Sequence, residues 1–209
     1  MPVTAKICGL STPETLDAAI KGGASYVGLM FFAPSPRNLS FDRAAQLAAR
    51  VPGHVRRIGV FVDPDDDLLD AAIAAGTLDA VQLHKTTPAR ASAIKARGLE
   101  VWATVAVKSR ADLNVARNYL HAADKILYDA KTPDNALPGG MGVRFDWKLL
   151  DGFRHPMPWA LSGGLDANNV ADAVRATGAT LVDVSSGVES KPGVKDITKI
   201  AAFLRAIAN

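Results

Sequence analysis

Two stretches, WALSGGL at positions 159–165 and TLVDVSSGV at positions 180–188, decide the fold. Each begins as a short apolar run typical of a buried strand and then changes abruptly to serine and glycine. Glycine lets the backbone come close to a ligand, and successive amide N–H groups in such a turn form a concave anion site. Two of these units in succession are typical of the phosphate site of a (β/α)8 barrel. The pair predicts a phosphorylated small-molecule ligand, although either stretch alone also suits an ordinary strand-ending turn.

Composition limits the classes of protein to consider. The chain has 209 residues, of which 48% are hydrophobic, enough to bury one sizeable core, and we predict a single domain over 1–209. The net charge is +3, with acidic and basic residues interspersed, so no basic face for nucleic acid is expected. Cys8 is the single cysteine, which excludes an internal disulfide.

No segment of the sequence is typical of a membrane protein or of a secreted one. The first six residues lack the plan of a signal peptide. The longest apolar run, around 27–33, is too short and too rich in glycine to span a bilayer. We therefore expect a cytoplasmic protein that does not enter a membrane.

Strand-like and helix-like segments alternate along the chain. Apolar strand-like runs start near Val3, Tyr26, Arg57, Ala80, Glu100, Lys125, Pro158 and Thr180. Eight βα units with no long linker predict the α/β class and a single closed (β/α)8 TIM barrel, with function at the C-terminal ends of the strands. An open doubly wound sheet is the alternative, but its usual G-x-G-x-x-G turn is missing after the first strand.

Helix starts are marked by capping residues. Thr12-Pro13 and Thr87-Pro88 combine an N-cap with proline at the first helical position. Further helix starts are predicted at Ser40, at Asp63 or Asp65, at Asp166 and at Asp196. Apolar residues at helical spacing indicate helices over 44–49, 68–75, 91–96, 113–120, 170–176 and 197–207, and the sixth helix, over 145–150, would be short.

Two groups at predicted strand ends are suited to proton transfer. Lys6 and Cys8 are two residues apart, so both should point into the barrel, where the ammonium would favour a thiolate, although a lone cysteine is often simply a buried structural residue. Asp129 ends the sixth strand, and its helix starts much later, so this residue is not needed as an N-cap. A carboxyl with a raised pKa at this position is a candidate general acid, and the long loop that follows is a candidate lid.

Two further strand-end residues are candidates for binding. Arg37 follows Pro34 and Pro36, which should hold it in a fixed place to bind a carboxylate, although loop arginines are often merely solvated. His84 ends the fourth strand, and the other histidines lack metal-ligand spacing. A substrate contact or a rim hydrogen bond is expected of His84, and neither a metal nor a cofactor is predicted.

The sequence resembles the phosphoribosylanthranilate isomerase family along its whole length. The motifs that carry the resemblance are K-I-C-G from Lys6, S-P-R ending at Arg37, G-V-F-V from Gly59, V-Q-L-H from Val81, L-Y-D-A from Leu127, G-G-M-G-V-R-F-D-W from Gly139, L-S-G-G-L from Leu161, D-V-S-S-G-V-E from Asp183 and P-G-V-K-D from Pro192. Their order and spacing together make the resemblance specific.

The resemblance implies an isomerase of tryptophan biosynthesis that carries out an Amadori rearrangement. The family's general acid matches Asp129, its base matches Cys8, and its contact to the anthranilate carboxylate matches Arg37. A residue near the ribose hydroxyls matches Asp183. The phosphate cradle matches Gly163, Gly164, Ser185, Ser186 and Gly187. Met141 stands where the family usually has threonine, so any hydroxyl contact from that loop is lost.

Two alternatives remain at this stage. One is a related aminoaldose isomerase of histidine biosynthesis, or a bifunctional enzyme; such enzymes pair two aspartates, and Cys8 argues against them. The other is a barrel that only binds a phosphorylated metabolite, against which the presence of both Cys8 and Asp129 argues. The sequence leaves a monomer and a homodimer equally open.

Overall fold

The computed structural model describes residues 2–133 and 139–208, and eight parallel strands close into a barrel in chain order. The strands are β1 Thr4–Cys8, β2 Tyr26–Phe31, β3 Arg56–Val62, β4 Ala80–His84, β5 Glu100–Val107, β6 Lys125–Ala130, β7 Trp159–Leu161 and β8 Leu181–Val184. Each begins within one residue of the start predicted from the sequence. The closed barrel is confirmed, and the open sheet is excluded.

Helices connect the strands on the outside of the barrel. The α-helices are α1 Pro13–Lys21, α2 Phe41–Ala48, α3 Asp66–Gly76, α4 Pro88–Lys95, α5 Val170–Thr177 and α6 Ile197–Ala208. The side chains of Thr12, Ser40, Asp65 and Thr87 accept hydrogen bonds from the first turns of α1 to α4, as predicted. None of the helices among the described residues has the length and apolarity needed to cross a bilayer.

Two helix predictions were wrong. Asp166 does not start α5, which begins at Val170; its carboxylate instead accepts from the backbone of Asn168 and Asn169 in the turn before the helix. The segment predicted as an α-helix over 113–120 is a 3-10 helix, Arg110–Tyr119, although Leu113, Ala116 and Tyr119 are buried as the apolar spacing requires. The short sixth helix is also 3-10, Trp147–Leu150.

The interior of the barrel changes from apolar to polar along the strands. Its N-terminal end is filled by Ile58, Ala80, Trp102, Leu127, Ala160 and Leu181. Two residues further toward the C-terminal ends of the strands, the inward-facing side chains are those of Lys6, Gln82 and Asp183, and all three are buried. Cys8, His84 and Asp129 follow at the C-terminal end. Because side chains alternate across each strand, this order places the polar groups in layers toward the mouth of the barrel.

A small hairpin follows β8 and extends the mouth on one side. Its strands are β9 Glu189–Lys191 and β10 Val194–Lys195, paired antiparallel. The side chains of Glu189 and Lys195 are buried beneath it. The hairpin therefore brings two charged groups to the mouth that no barrel strand carries.

Candidate active site

The mouth of the barrel holds two adjoining pockets. One is lined by Cys8, Arg37, Gln82 and His84 together with the apolar side chains Met30, Phe32, Val60 and Val62. The other is lined by the loops after β6, β7 and β8. Asp129, Gly139, Gly140, Ser162, Asp183 and Ser185 line both pockets. The mouth thus has a partly apolar half and a Gly/Ser-rich half, and Asp129 lies where they meet.

Asp129 has the properties of a general acid. Its side chain is buried, and burial, with Asp183 nearby, raises the pKa of this carboxyl to about 7. Its Oδ1 accepts the Ala130 N–H at 2.9 Å, which favours the ionised form but less strongly than burial opposes it. A carboxyl that is half protonated at neutral pH can give a proton to a bound substrate and later recover one.

Cys8 lines the same pocket, but the expectation that Lys6 favours its thiolate was only partly right. Burial raises the pKa of the Cys8 thiol, Lys6 and Lys195 lower it, and the net direction is upward. The Lys6 ammonium is less effective than predicted because it is paired with Asp183, whose charge opposes thiolate formation. In the free protein Cys8 therefore rests as the neutral thiol.

Lys6 is the centre of a buried polar network across the barrel. Its Nζ donates to Asp183 Oδ1 at 2.8 Å and to Gln82 Oε1 at 2.7 Å. Ser162 Oγ donates to the other Asp183 oxygen at 3.2 Å. Burial lowers the pKa of Lys6, but the charge of Asp183, joined by that of Cys8 when the thiol ionises, raises it above its usual value. The pair is thus an ammonium–carboxylate ion pair that links β1 to β8.

His84 is held neutral at the edge of this network. Burial and the Lys6 charge lower the pKa of the imidazole to about 4. Its Nε2 lies 2.9 Å from Gln82 Nε2, and it lines the pocket on the side of Asp129. A neutral imidazole can donate or accept a hydrogen bond without adding charge to the site.

Arg37 is fixed in place, as the prolines before it predicted, but much of its guanidinium is already used. Nε and Nη2 form a two-point ion pair with Glu189 at 2.7 and 2.8 Å, and Nη2 also donates to the Gly140 carbonyl at 2.9 Å. No described residue accepts from Nη1. Because Arg37 lines the pocket that contains Cys8, a substrate carboxylate would be bound through this remaining edge.

Lys195 completes the charged side of the mouth. Its Nζ donates to Glu189 Oε1 at 2.6 Å, to the Ser185 carbonyl at 2.9 Å and to Ser185 Oγ at 3.2 Å. Ser185 Oγ in turn donates to the Cys8 carbonyl at 3.3 Å. The hairpin lysine therefore ties the loop after β8 to the end of β1.

The proposed phosphate cradle consists of two loops in direct contact. A β-carbon built on Gly187 would overlap the Leu165 carbonyl oxygen, so only glycine lets the loop after β8 pack on the loop after β7. Gly163, with φ of 91°, allows Ala130 N to lie 2.7 Å from the position a β-carbon would take. Gly163 and Gly187 therefore have packing reasons of their own, and phosphate binding by the cradle, with Gly164, Ser185 and Ser186, stays a prediction.

The described part of the loop after β6 lies over the mouth. Gly139, Gly140 and Gly142 all have positive φ, a conformation that favours glycine. A β-carbon on Gly140 would come within 2.6 Å of Arg37 Nη1, and one on Gly139 within 3.0 Å of Asp129 Oδ2. Met141, 52% exposed, points largely to solvent. Pro138, which the predicted lid includes, lies outside the described residues.

The sequence missed three of the groups that shape this site: Gln82, Glu189 and Lys195. Gln82 carries a local signal, since it is a polar residue on the inward face of an otherwise apolar strand. Glu189 and Lys195 follow the last barrel strand, and although both lie in motifs that carry the family resemblance, no local pattern assigns either of them to the site. Their position at the mouth follows only from the hairpin in the structure, which folds them back onto the barrel. No cluster of three or more His, Cys, Asp or Glu among residues 2–133 and 139–208 is arranged to hold a metal ion.

Fold and site together define a (β/α)8-barrel enzyme whose mouth holds a buried carboxyl and a thiol in one pocket. The family model for N-(5'-phosphoribosyl)anthranilate isomerase matches residues 5–206. The chain belongs to the N-(5'-phosphoribosyl)anthranilate isomerase family.

Relatives and solved structures agree along the full length. The isomerase of this name from Zymomonas mobilis subsp. mobilis is 52% identical over 210 residues, which cover 99% of each chain. That of Paramagnetospirillum magneticum is 53% identical, covering 99% of this chain and 97% of the relative. The crystal structure of the Thermotoga maritima enzyme superposes with a TM-score of 0.88 at 34% identity, covering 98% of both chains. A phosphoribosyl anthranilate isomerase in complex with reduced 1-(o-carboxyphenylamino)-1-deoxyribulose 5-phosphate superposes at 0.86, with 32% identity and 98% of both chains covered.

Proposed function

We propose that this chain isomerises N-(5'-phosphoribosyl)anthranilate to 1-(2-carboxyphenylamino)-1-deoxyribulose 5-phosphate, a step of tryptophan biosynthesis, with Asp129 as acid and Cys8 as base. The observation that carries the proposal is that a carboxyl with a pKa near 7 and a thiol line one pocket beside a Gly/Ser-rich one. The reaction is a proton relocation within one molecule and needs one group to give a proton and another to take one.

In the first step Asp129 gives its proton to the furanose ring oxygen. The bond from C1 to that oxygen breaks, and the lone pair of the anthranilate nitrogen forms the C1–N double bond of an iminium. The step leaves Asp129 as a carboxylate. This charge is costly where it is buried, and the neighbouring iminium offsets that cost.

In the second step Cys8 takes the proton from C2. The C2–H electrons form the C1–C2 double bond and neutralise the iminium, which gives an enol with an amino group. Loss of the hydroxyl proton at C2 and addition of a proton at C1 then give the ketone, and net transfer of one proton from the Cys8 thiol to the Asp129 carboxylate restores both groups. The atoms of substrate and product are the same, so no oxidant or reductant is required.

The ends of the substrate fit the two halves of the mouth. The aryl group would lie against Met30, Phe32 and Val60, with its carboxylate on the free edge of Arg37. The phosphate would lie on the amides of the loops after β7 and β8, near Gly164 and Ser186. The ribose then spans the boundary, where Asp129 and Asp183 line both pockets.

The resting protonation states have a kinetic consequence. The reaction needs protonated Asp129 and ionised Cys8, yet the pKa of Asp129 is about 7 while that of Cys8 is above its ordinary value. Protonated Asp129 combined with ionised Cys8 is therefore a minor form of the free enzyme at neutral pH. The substrate's developing positive charge favours the thiolate once the ring has opened.

An assay on the purified protein tests the proposal. Phosphoribosylanthranilate should disappear with formation of the ribulose product, at the same rate before and after exhaustive chelation. Activity that is lost on chelation and restored only by a divalent ion would contradict the acid–base mechanism. Turnover of the histidine-pathway aminoaldose alone, or binding without turnover, would favour one of the two alternatives. Complementation of a tryptophan auxotroph that lacks this isomerase would support the same assignment in a cell.

A further inference from the structure

Gln82 lies between Lys6 and His84 inside the barrel and connects the two. It is 2% exposed and is on β4, two residues before His84. One end of its amide is within hydrogen-bond distance of Lys6 Nζ, and the other is within that distance of His84 Nε2. Neither neighbour is assigned a role in the proton transfers proposed above, so the arrangement calls for its own explanation.

The orientation of the Gln82 amide follows from Lys6. A lysine ammonium has three N–H donors and no acceptor, so the amide atom 2.7 Å from it must be the oxygen. The amide nitrogen therefore faces His84, and an amide NH2 can only donate. At 2.9 Å from this donor, His84 Nε2 must be the unprotonated nitrogen. A neutral imidazole then carries its single proton on Nδ1.

The position of His84 shows why this tautomer matters. His84 is 7% exposed and lines both the pocket of Cys8 and the pocket beside Asp129. No described residue accepts a hydrogen bond from its Nδ1. The imidazole ring thus has a proton to offer on the side that the protein leaves unpaired, and a substrate oxygen is the acceptor that the pocket would supply.

We propose that Gln82 is a positioning residue that fixes His84 as the Nδ1–H tautomer, so that His84 donates a hydrogen bond to an oxygen of the bound sugar phosphate. Lys6 orients Gln82, and Gln82 orients the proton of His84. The proposal rests on the proposed function for the identity of the substrate. The tautomer itself does not depend on turnover and is measured without substrate.

A second consequence concerns charge. An imidazolium at position 84 would stabilise the nearby Asp129 carboxylate, lower the pKa of that group and leave less of it protonated at neutral pH. Gln82 opposes this because its N–H donor repels a protonated Nε2. The charged and titratable groups facing His84 are Lys6, Asp183 and Lys85, with Asp129 across the pocket. Gln82 therefore both directs the His84 proton and keeps this wall of the pocket uncharged.

The decisive experiment is a nitrogen-15 NMR spectrum of the wild-type protein with labelled histidine at neutral pH. The four histidines are distinguished by comparison with His84→Ala, whose spectrum lacks one ring. The His84 ring should show a protonated Nδ1 and an unprotonated Nε2. A protonated Nε2, or a ring protonated on both nitrogens, would overturn the proposal. An enzyme with the predicted tautomer but no isomerase activity would refute the proposed function alone.

Two Gln82 variants separate the two ends of the amide. Gln82→Glu keeps an oxygen for Lys6 but replaces the N–H donor by an acceptor, so the His84 proton should move to Nε2. Gln82→Met removes both hydrogen bonds. Both should lower kcat/KM by roughly 10- to 100-fold, as expected when one substrate hydrogen bond is lost. A Gln82→Glu protein that keeps the Nδ1–H tautomer would contradict the mechanism.

A double-mutant cycle tests whether Gln82 acts through His84. In the His84→Ala background, Gln82→Met should lower kcat/KM by no more than about 2-fold, since its only functional partner is already gone. Loss of the full 10- to 100-fold again in that background would show that Gln82 acts elsewhere, and the proposal would fail.

Discussion

Asp129→Asn should make the protein more stable while abolishing its activity. The carboxyl has a pKa of about 7 in the folded protein against an ordinary value of 3.8, because burial and Asp183 disfavour its ionised form. Asparagine has nearly the same shape, can still accept the Ala130 N–H and cannot ionise. The variant therefore removes a buried charge that the folded wild type must carry at alkaline pH.

Proton linkage gives the sign and the size of this change in the free energy of unfolding. Below about pH 3 the carboxyl is mostly protonated in both folded and unfolded chains and contributes almost nothing. As pH rises the unfolded chain ionises first, so the folded state loses stability up to pH 7 and stays at the lower level above it. With 1.36 kcal/mol for each pKa unit, the loss is about 1.7 kcal/mol at pH 5 and about 4 kcal/mol at pH 8. The free energy of unfolding of the Asp129→Asn variant should exceed that of the wild type by these amounts.

Urea denaturation followed by circular dichroism, at several pH values from 5 to 8, measures the effect. Asp151→Asn removes one negative charge from an exposed position and is the matched control, with no comparable gain expected. A difference between Asp129→Asn and wild type that does not change with pH would refute the assigned burial cost. A variant less stable than wild type at pH 8 would refute it as well.

Three further outcomes are expected at the mouth. The kcat/KM profile should rise to about pH 7, stay level, and fall only above the raised pKa of Cys8, because the reactive form needs protonated Asp129 and ionised Cys8; a profile with no change of slope near pH 7 would remove Asp129 from the role of acid. Arg37→Ala should weaken substrate binding by roughly 1.5–3 kcal/mol, the value of a charge-assisted hydrogen bond, and an unchanged KM would mean that another residue binds the carboxylate. Ser186→Asp should raise the inhibition constant of inorganic phosphate at least about 10-fold through charge repulsion at close range, whereas Ser186→Ala should change it little; equal constants in the two variants would place the phosphate elsewhere.

The barrel was predictable because each local signal agreed with the global fold. Thr12-Pro13 and Thr87-Pro88 mark helix starts by chemistry that acts within one turn, and the structure has both. The prediction of a helix start at Asp166 was wrong because aspartate caps turns as readily as helices. Here Asp166 caps the turn that leads into α5. The sequence did not show that Arg110–Tyr119 forms a 3-10 helix, because its buried residues recur every three positions, a spacing that also occurs in an α-helix.

The sequence predicted only those site residues whose position follows from the order of the strands along the chain. Cys8 and Asp129 end barrel strands, and their place at the mouth follows from the topology. The pairing of Arg37 with Glu189 joins residues 152 positions apart through a hairpin. Pro192-Gly193 marks its turn in the sequence, but no local pattern shows where the hairpin packs. Burial raises the pKa of Cys8, and four effects of neighbouring charges and a hydrogen bond shift it in either direction. A sequence pattern does not give the net result of these opposing effects.

The charges at the mouth explain how a buried site can attract this substrate while its acid stays about half protonated and its base stays a thiol at neutral pH. Lys6, Arg37 and Lys195 are positive and Asp183 and Glu189 negative, which gives three cations to two anions and a net charge of +1. Every cation has a carboxylate partner, and although Lys6 and Lys195 lower the pKa of Cys8, burial outweighs them before the substrate arrives. A substrate with a phosphate and a carboxylate meets a positive mouth, which favours its capture. In the proposed mechanism, the iminium formed on ring opening is close to both Asp129 and Cys8, and its positive charge stabilises the Asp129 carboxylate and the Cys8 thiolate. The reaction would thus itself supply a positive charge beside the acid and the base at the step in which the C2 proton moves.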